Sequence, residues 1–126
     1  MPWSFEENLP IYTQLTERLQ REIVSGIYLP GSRLPSVREL AQQAGVNPNT
    51  VQRALGELER EGLITTQRTA GKFVTEDQTA LDALRQRLAR AQATAYLGAL
   101  RALGYDAAQC MEFLQITAEE ELQCQS

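Results

Sequence analysis

The chain has 126 residues, of which 43% are hydrophobic and 22% are charged, and its formal net charge is −4. This composition is typical of globular proteins, and the length suits one domain with a small appendage. The chain contains no run of about 18 apolar residues, which a membrane-spanning helix would need. The first ten residues hold acids where a secretory signal needs bases and an apolar run, so we expect a cytoplasmic protein.

The residue types also limit the chemistry of the chain. Histidine is absent, which removes the commonest general base and metal ligand. Two separated cysteines, Cys110 and Cys124, do not make a zinc site, and we expect two reduced thiols with Cys110 partly buried; a redox switch is the open alternative. We therefore expect no enzymatic activity, no metal and no cofactor.

Charge is distributed unevenly along the chain. Residues 1–75 hold eight basic and eight acidic side chains, whereas residues 76–126 hold four and eight, so the excess of acid lies in the second part. A nucleic acid responds to the local potential of one face more than to the total charge. The net charge of −4 therefore does not exclude DNA as a partner.

Helical signals dominate the first half. Pro10 and the apolar spacing of Ile11, Leu15, Leu19 and Ile23 predict a helix over about 10–25. Ser36 and Glu39 predict a capping box at the start of a second helix that Gly45 ends. Asn47 caps a third helix, which has Pro48 at its first position and which Gly62 ends.

A β-hairpin follows these helices. Leu63–Gln67 and Lys72–Thr75 are short β-prone runs on either side of Arg68-Thr69-Ala70-Gly71. Two short helices joined by a glycine turn and followed by a hairpin form a winged helix-turn-helix. The predicted fold is thus mainly α with a small β wing; a small α+β domain without a DNA role is the alternative.

The character of the sequence changes near Thr79. Apolar residues then recur in steps of three and four, as in a coiled-coil seam, and a last helix follows Asp106. We assign residues 1–75 to a winged helix-turn-helix DNA-binding domain and residues 76–126 to a helical dimerisation tail that forms a homodimer. The predicted dimerisation residues are Leu81, Leu84, Leu88, Ala91, Ala95, Leu97 and Leu100. A small-molecule effector stays open, with Tyr96, Tyr105, Met111 and Phe113 better explained as core than as a pocket.

The third helix carries the candidate DNA-reading residues near its N-terminus, the end that a helix-turn-helix inserts into the major groove. Asn and Gln amides pair with adenine and Arg pairs with guanine, while a hydroxyl suits a phosphate. A merely solvated helix face usually mixes Lys and Glu, and this one has no acid. The residues are Asn47, Asn49, Thr50, Gln52 and Arg53, of which Arg53 has the alternative of contacting the backbone or an acid of its own chain.

Further candidates surround this helix. Arg38 is expected at a phosphate or a groove edge, and Ser36 at a phosphate besides its capping role. Arg68 and Lys72 flank the hairpin tip, where a wing enters the minor groove, and Gly71 allows close approach of the backbone. Arg33 completes the set. A protein-interaction module without specific DNA binding is the rival function; only DNA binding should weaken steeply with salt.

Several runs together resemble the GntR family of bacterial regulators. They are LPIYTQL, the stretch from Gly26 to Ala41 with PGSRLPSVRELA, GVNPNTVQRAL, LEREGLI and the GKFV hairpin, and the two-helix tail is similar to that of the YtrA-like subfamily. The resemblance implies a homodimer that binds a two-fold symmetric operator, usually as a repressor. It also implies DNA contacts by Arg38, Asn47, Asn49, Thr50, Gln52 and Gly71. Pro48 and Gln52 depart from the family pattern, which often has Arg at both positions, so the operator cannot be transferred from other members.

Overall fold

A computed structural model describes residues 2–125, apart from the side chain of Gln125. The chain divides into two compact units that meet between Gln86 and Arg87. Within residues 2–125, five helices and a two-stranded antiparallel sheet confirm the predicted winged-helix fold class. The elements are α1 Ile11–Val24, α2 Val37–Ala44, α3 Pro48–Arg60, β1 Ile64–Gln67, β2 Gly71–Val74, α4 Gln78–Ala102 and α5 Ala107–Gln125.

The core of the first unit lies between α1, α2 and α3. α3 packs against both α1 and α2, so it is held on its apolar side by two helices. Close packing of aliphatic side chains fixes the relative positions of these helices, because few voids remain for them to shift into. The core side chains of the three helices are Leu15, Leu19, Ile23, Leu40, Ala41, Ala44, Val51, Ala54, Leu55 and Leu58.

The turn between α2 and α3 follows from local hydrogen bonds. Ser36 and Glu39 form the predicted capping box, in which each side chain accepts from the backbone N–H of the other residue. Gly45 ends α2 in the left-handed conformation at φ +72°, which glycine adopts without steric cost. Asn47 then caps α3, with Pro48 as its first residue. The local sequence thus sets the direction in which α3 leaves α2.

The wing is a short hairpin with a three-residue loop. β1 and β2 pair from Ile64 with Val74 to Gln67 with Gly71. The predicted second strand began at Lys72, but Gly71 belongs to the ladder because its φ of +106° lets it pair directly after the turn. Arg33 forms an isolated bridge with Phe73, so the segment before α2 is tied to the wing.

The first turns of α4 pack within the first unit. Leu81 and Leu84 are each only 3% exposed in the single chain, and the Arg85 guanidinium donates to the carbonyl of Val24 at 3.0 Å. These turns belong to the first unit, which extends to Gln86, whereas the tail predicted from the sequence begins at residue 76. Leu81 and Leu84 therefore belong to the core of the single chain, and the exposed residues of the predicted seam lie farther along α4.

The second unit contains the rest of α4 and all of α5. Asp106 caps α5 as predicted, since its carboxylate accepts from the Gln109 N–H and the Gln109 side-chain oxygen accepts from the Asp106 N–H. Cys110 is fully buried rather than partly buried. Several large apolar side chains are exposed in this unit, namely Tyr96, Leu103, Tyr105, Met111, Phe113, Ile116 and Leu122. The core position expected for Tyr96, Tyr105, Met111 and Phe113 is therefore not found in the single chain. No helix in the described part of the chain is long and apolar enough to cross a membrane.

Candidate nucleic-acid interface

The first turns of α3 present a polar surface without acids. Asn49, Gln52 and Arg53 are exposed and Thr50 is half-buried, while Val51, Ala54 and Leu55 point into the core. The Asn47 carboxamide oxygen accepts from the Asn49 N–H at 2.8 Å, which leaves its NH₂ group as a donor. Residues 47–56 contain no Asp or Glu. This end of α3 therefore offers amide, hydroxyl and guanidinium groups to an anionic partner.

Arg53 contacts neither the backbone nor an acid in the described part of the chain. Its guanidinium carbon lies 3.6 Å from the ring centroid of Tyr12, near the start of α1. A guanidinium that stacks on a ring contacts it through one flat face, and its N–H groups point outward in the plane of the guanidinium. Arg53 thus keeps hydrogen-bond donors available although its position is fixed from one side.

A second group of candidates lines a small groove between the wing and the start of α2. Arg33, Ser36, Gly71 and Lys72 all border it, so the fold brings together four of the predicted residues. The groove has a volume of about 190 Å³, and its other lining residues are Leu34, Pro35, Val37 and Thr66. Both strands of the hairpin and the segment before α2 therefore contribute to one surface.

Gly71 has a steric role in this groove. A Cβ at this position would lie 3.0 Å from Nε of Arg33, closer than nearly all real Cβ contacts. Its φ of +106° is also a conformation that other residues rarely adopt. Gly71 therefore lets the Arg33 side chain lie across the beginning of β2.

Lys72, in the wing, is paired with an acid of α3. Its Nζ contacts the Glu59 carboxylate on α3 and donates to Oγ1 of Thr66 at 2.8 Å. Hydrogen bonds from Lys72 and then from Thr66 lower the pKa of Glu59. This cluster joins the wing to the second half of α3, so Lys72 is engaged in positioning the wing.

Ser36 is occupied by its capping bonds. The Glu39 N–H donates to the Ser36 hydroxyl oxygen at 3.1 Å, and the Ser36 N–H donates to the Glu39 carboxylate at 3.2 Å. Hydrogen bonds from the Ser36 backbone and then from its side chain lower the pKa of Glu39. The structural role expected for Ser36 is confirmed, because its backbone and its side chain both bond Glu39 in the capping box.

Arg38 and Arg68 are the least restrained of the candidate cations. Arg38 lies in the first turn of α2 and Arg68 in the hairpin loop, and both are exposed. Within residues 2–125, neither has a hydrogen bond, an ion pair or a stacked ring. Their charges are therefore available to phosphates.

Two residues of this region were missed by the sequence interpretation. Tyr12 contacts Arg53 across 41 positions and Glu59 contacts Lys72 across 13 positions. Neither sequence separation matches the spacing of contacts within a helix or across a tight hairpin, so no local sequence pattern indicates these pairs. The only sequence signal for Tyr12 is that it is the aromatic residue of the LPIYTQL run.

Curated relatives of the chain are regulators of transcription. YhcF from Bacillus subtilis, an uncharacterised HTH-type transcriptional regulator, is 36% identical over 115 residues, which is 91% of this chain and 95% of YhcF. The HTH-type transcriptional repressor YtrA from the same organism is 48% identical over 68 residues, which is 54% of this chain and 52% of YtrA.

Solved structures agree with these relatives. A GntR family transcriptional regulator from Listeria monocytogenes has a TM-score of 0.81 and 36% identity, and the match covers 88% of this chain and 97% of that chain. The DNA-binding domain of AraR in complex with operator ORX1 has a TM-score of 0.52 and 34% identity, and the match covers 60% of this chain and 92% of that chain.

The sequence profile of the bacterial regulatory proteins of the gntR family matches residues 11–74. This range runs from the first residue of α1 to the last residue of β2, so it contains the whole helix-turn-helix and the wing. The chain belongs to the GntR family of bacterial transcription regulators, and YtrA and YhcF are among its homologues.

Proposed function

We propose that this protein is a homodimeric repressor that binds a two-fold symmetric DNA operator through α3, the start of α2 and the wing. The observation that carries the proposal is the acid-free exposed surface of Asn49, Gln52 and Arg53 on α3. A helix held on its apolar side by two others and polar on its free side is suited to the major groove. Because bacterial DNA lies in the cytoplasm, this function places the protein there.

Direct base contacts are assigned to the amides and the guanidinium of α3. Asn49 and Gln52 can each pair with an adenine edge, and Arg53 can pair with guanine or with a phosphate. Arg38, Arg68 and Arg33 are assigned to phosphates and groove edges, and Gly71 to close backbone approach. Asn47, Thr50, Ser36 and Lys72 are assigned mixed roles, in which they hold local structure and lie beside the DNA.

The repressor role and the two-fold symmetric assembly are supported by the relatives and by the exposed apolar residues of the second unit. YtrA is a repressor, and the AraR domain in the matching structure is bound to an operator. Exposed apolar side chains in the second unit, such as Leu103 and Met111, are the proposed surface for a second copy. Leu88, Ala91, Ala95, Leu97 and Leu100 stay in the proposed interface, whereas Leu81 and Leu84 do not. A symmetric dimer reads two inverted half-sites.

The test is selection of bound sequences from a randomised duplex pool, followed by binding measurements at two salt concentrations. Enrichment of a palindrome that Asn49→Ala and Arg38→Ala variants no longer bind would support the proposal. Arg60→Ala is the matched control, because Arg60 lies at the far end of α3, is paired with Glu57 and carries the same charge as Arg38. Binding without sequence preference, or equal losses in all three variants, would contradict specific recognition.

The dimer has a separate test. Sedimentation equilibrium should give twice the mass of the chain for the wild type and the mass of one chain for Met111→Asp. The Met111→Asp variant should keep a folded first unit and lose most operator affinity. A wild-type protein that is monomeric when bound to a palindrome would exclude the proposed assembly.

A further inference from the structure

We propose that Tyr12 is a positioning residue for DNA recognition, which acts by stacking on Arg53 and orienting its guanidinium. This inference rests on the proposed function. The Arg53 guanidinium carbon lies 3.6 Å from the centroid of the Tyr12 ring, although the two residues belong to different helices. An exposed arginine at this end of α3 would otherwise sample many rotamers.

The backbone around Tyr12 is well anchored. Its carbonyl accepts a hydrogen bond from the Thr16 hydroxyl at 2.7 Å, and Leu15 and Leu19 bury α1 against the core. The carboxamide of Gln14 bonds the backbone of Glu6 and Leu9, which ties the preceding segment to the start of α1. The backbone that carries the ring is therefore fixed, and the half-buried ring lies against the guanidinium.

The stack leaves the recognition chemistry of Arg53 intact. The ring covers one face of the guanidinium, and the in-plane N–H groups can still donate to a pair of acceptors. In the described part of the chain no acid forms an ion pair with Arg53, whose guanidinium stacks on the Tyr12 ring. Ordering a long side chain before binding removes an entropy cost that association would otherwise include. Tyr12 thus raises affinity at the base or phosphate that Arg53 contacts, without touching DNA itself.

The experiment is a double-mutant cycle measured with the operator selected by the wild-type dimer. Tyr12→Leu should weaken binding by roughly two- to tenfold, the range expected for ordering one long side chain. Tyr12→Phe should bind like the wild type, because the stack needs the ring and not the hydroxyl. In an Arg53→Ala background, Tyr12→Leu should cause no further loss.

Arg18→Ala is the matched control for the loss of a stack. Arg18 lies on the same helix and its guanidinium carbon is 3.6 Å from the ring centroid of Trp3, yet it is outside the proposed interface. This variant should bind the operator like the wild type, and thermal denaturation should show every variant folded.

Three outcomes would overturn the inference. Tyr12→Leu could weaken binding equally with and without Arg53, Tyr12→Phe could lose affinity as Tyr12→Leu does, or Arg53→Ala could bind like the wild type. The first two would mean that Tyr12 acts directly, and the third that Arg53 does not contact DNA. Failure of the proposed function looks different, because the wild type itself would then enrich no sequence.

Discussion

Lys72 differs from the other candidate cations because a carboxylate of the same chain already matches its charge. Its Nζ contacts Glu59, whose side chain is 36% exposed, and donates to Thr66. A pair this exposed is screened by solvent and contributes less than about 1 kcal/mol to stability. We therefore predict that Lys72→Met unfolds close to the wild-type temperature and that it leaves the salt dependence of operator binding unchanged.

The magnitude follows from counterion release. Each phosphate that a protein neutralises steepens the plot of log affinity against log salt concentration by about 0.9 for duplex DNA. A fourfold increase in salt therefore costs about 3.5-fold in affinity for each such contact in each bound subunit. Lys72 should contribute none of this while Glu59 holds it. Glu59→Gln removes the competing charge, so its slope should be steeper by about 0.9 per bound subunit.

The assay is fluorescence anisotropy of a labelled operator over a series of salt concentrations. The double variant Glu59→Gln/Lys72→Met should return to the wild-type slope. Arg68→Met is the matched control, since Arg68 is an exposed cation of the same wing and has no partner in residues 2–125. It should make the slope shallower by about 0.9 per bound subunit. If Lys72→Met does the same in the wild-type background, Lys72 binds a phosphate and the reasoning is wrong.

Three further predictions concern single positions. Asn47→Ala should lower the free energy of unfolding by about 1 kcal/mol through loss of the α3 cap, whereas Asn47→Asp should keep the cap and lose operator binding; wild-type affinity in Asn47→Asp would place this residue away from DNA. Gly71→Ala should destabilise the protein by about 1–2 kcal/mol in urea denaturation, because φ is +106° and the new Cβ would press on Arg33; an unchanged stability would show that the wing relaxes easily. The pKa of Glu39 is lowered in the folded state, so its carboxylate stabilises the fold above the ordinary value of 4.5 and this contribution is lost as the pH falls through the folded pKa. Thermal denaturation between pH 7 and 3 should therefore show a smaller acid effect in Glu39→Gln, and equal curves would contradict the assigned bonds.

The local sequence determined most of the fold and the main candidate surface. Ser36 with Glu39, Gly45 and Asn47 specify where α2 begins and ends and where α3 begins, because helix caps depend on residues only two or three positions apart. Apolar spacing of 3.6 residues then assigns one face of each helix to the core, which leaves the polar residues of α3 exposed. These signals are short-range, so they can be read from a single chain.

Tertiary structure alone decided how the candidate residues are partnered. Arg53 stacks on Tyr12 and Lys72 pairs with Glu59, and such contacts depend on how whole helices and the wing pack. The repeat of apolar residues in α4 shows the same limit. Its spacing predicts a buried face, but Leu81 and Leu84 are buried in the single chain while Ala91 is exposed. The periodicity indicates that one face of the helix is apolar, but only the packed structure shows what covers that face. The reason is that the hydrophobic effect is non-directional, so burial against any apolar surface is favourable.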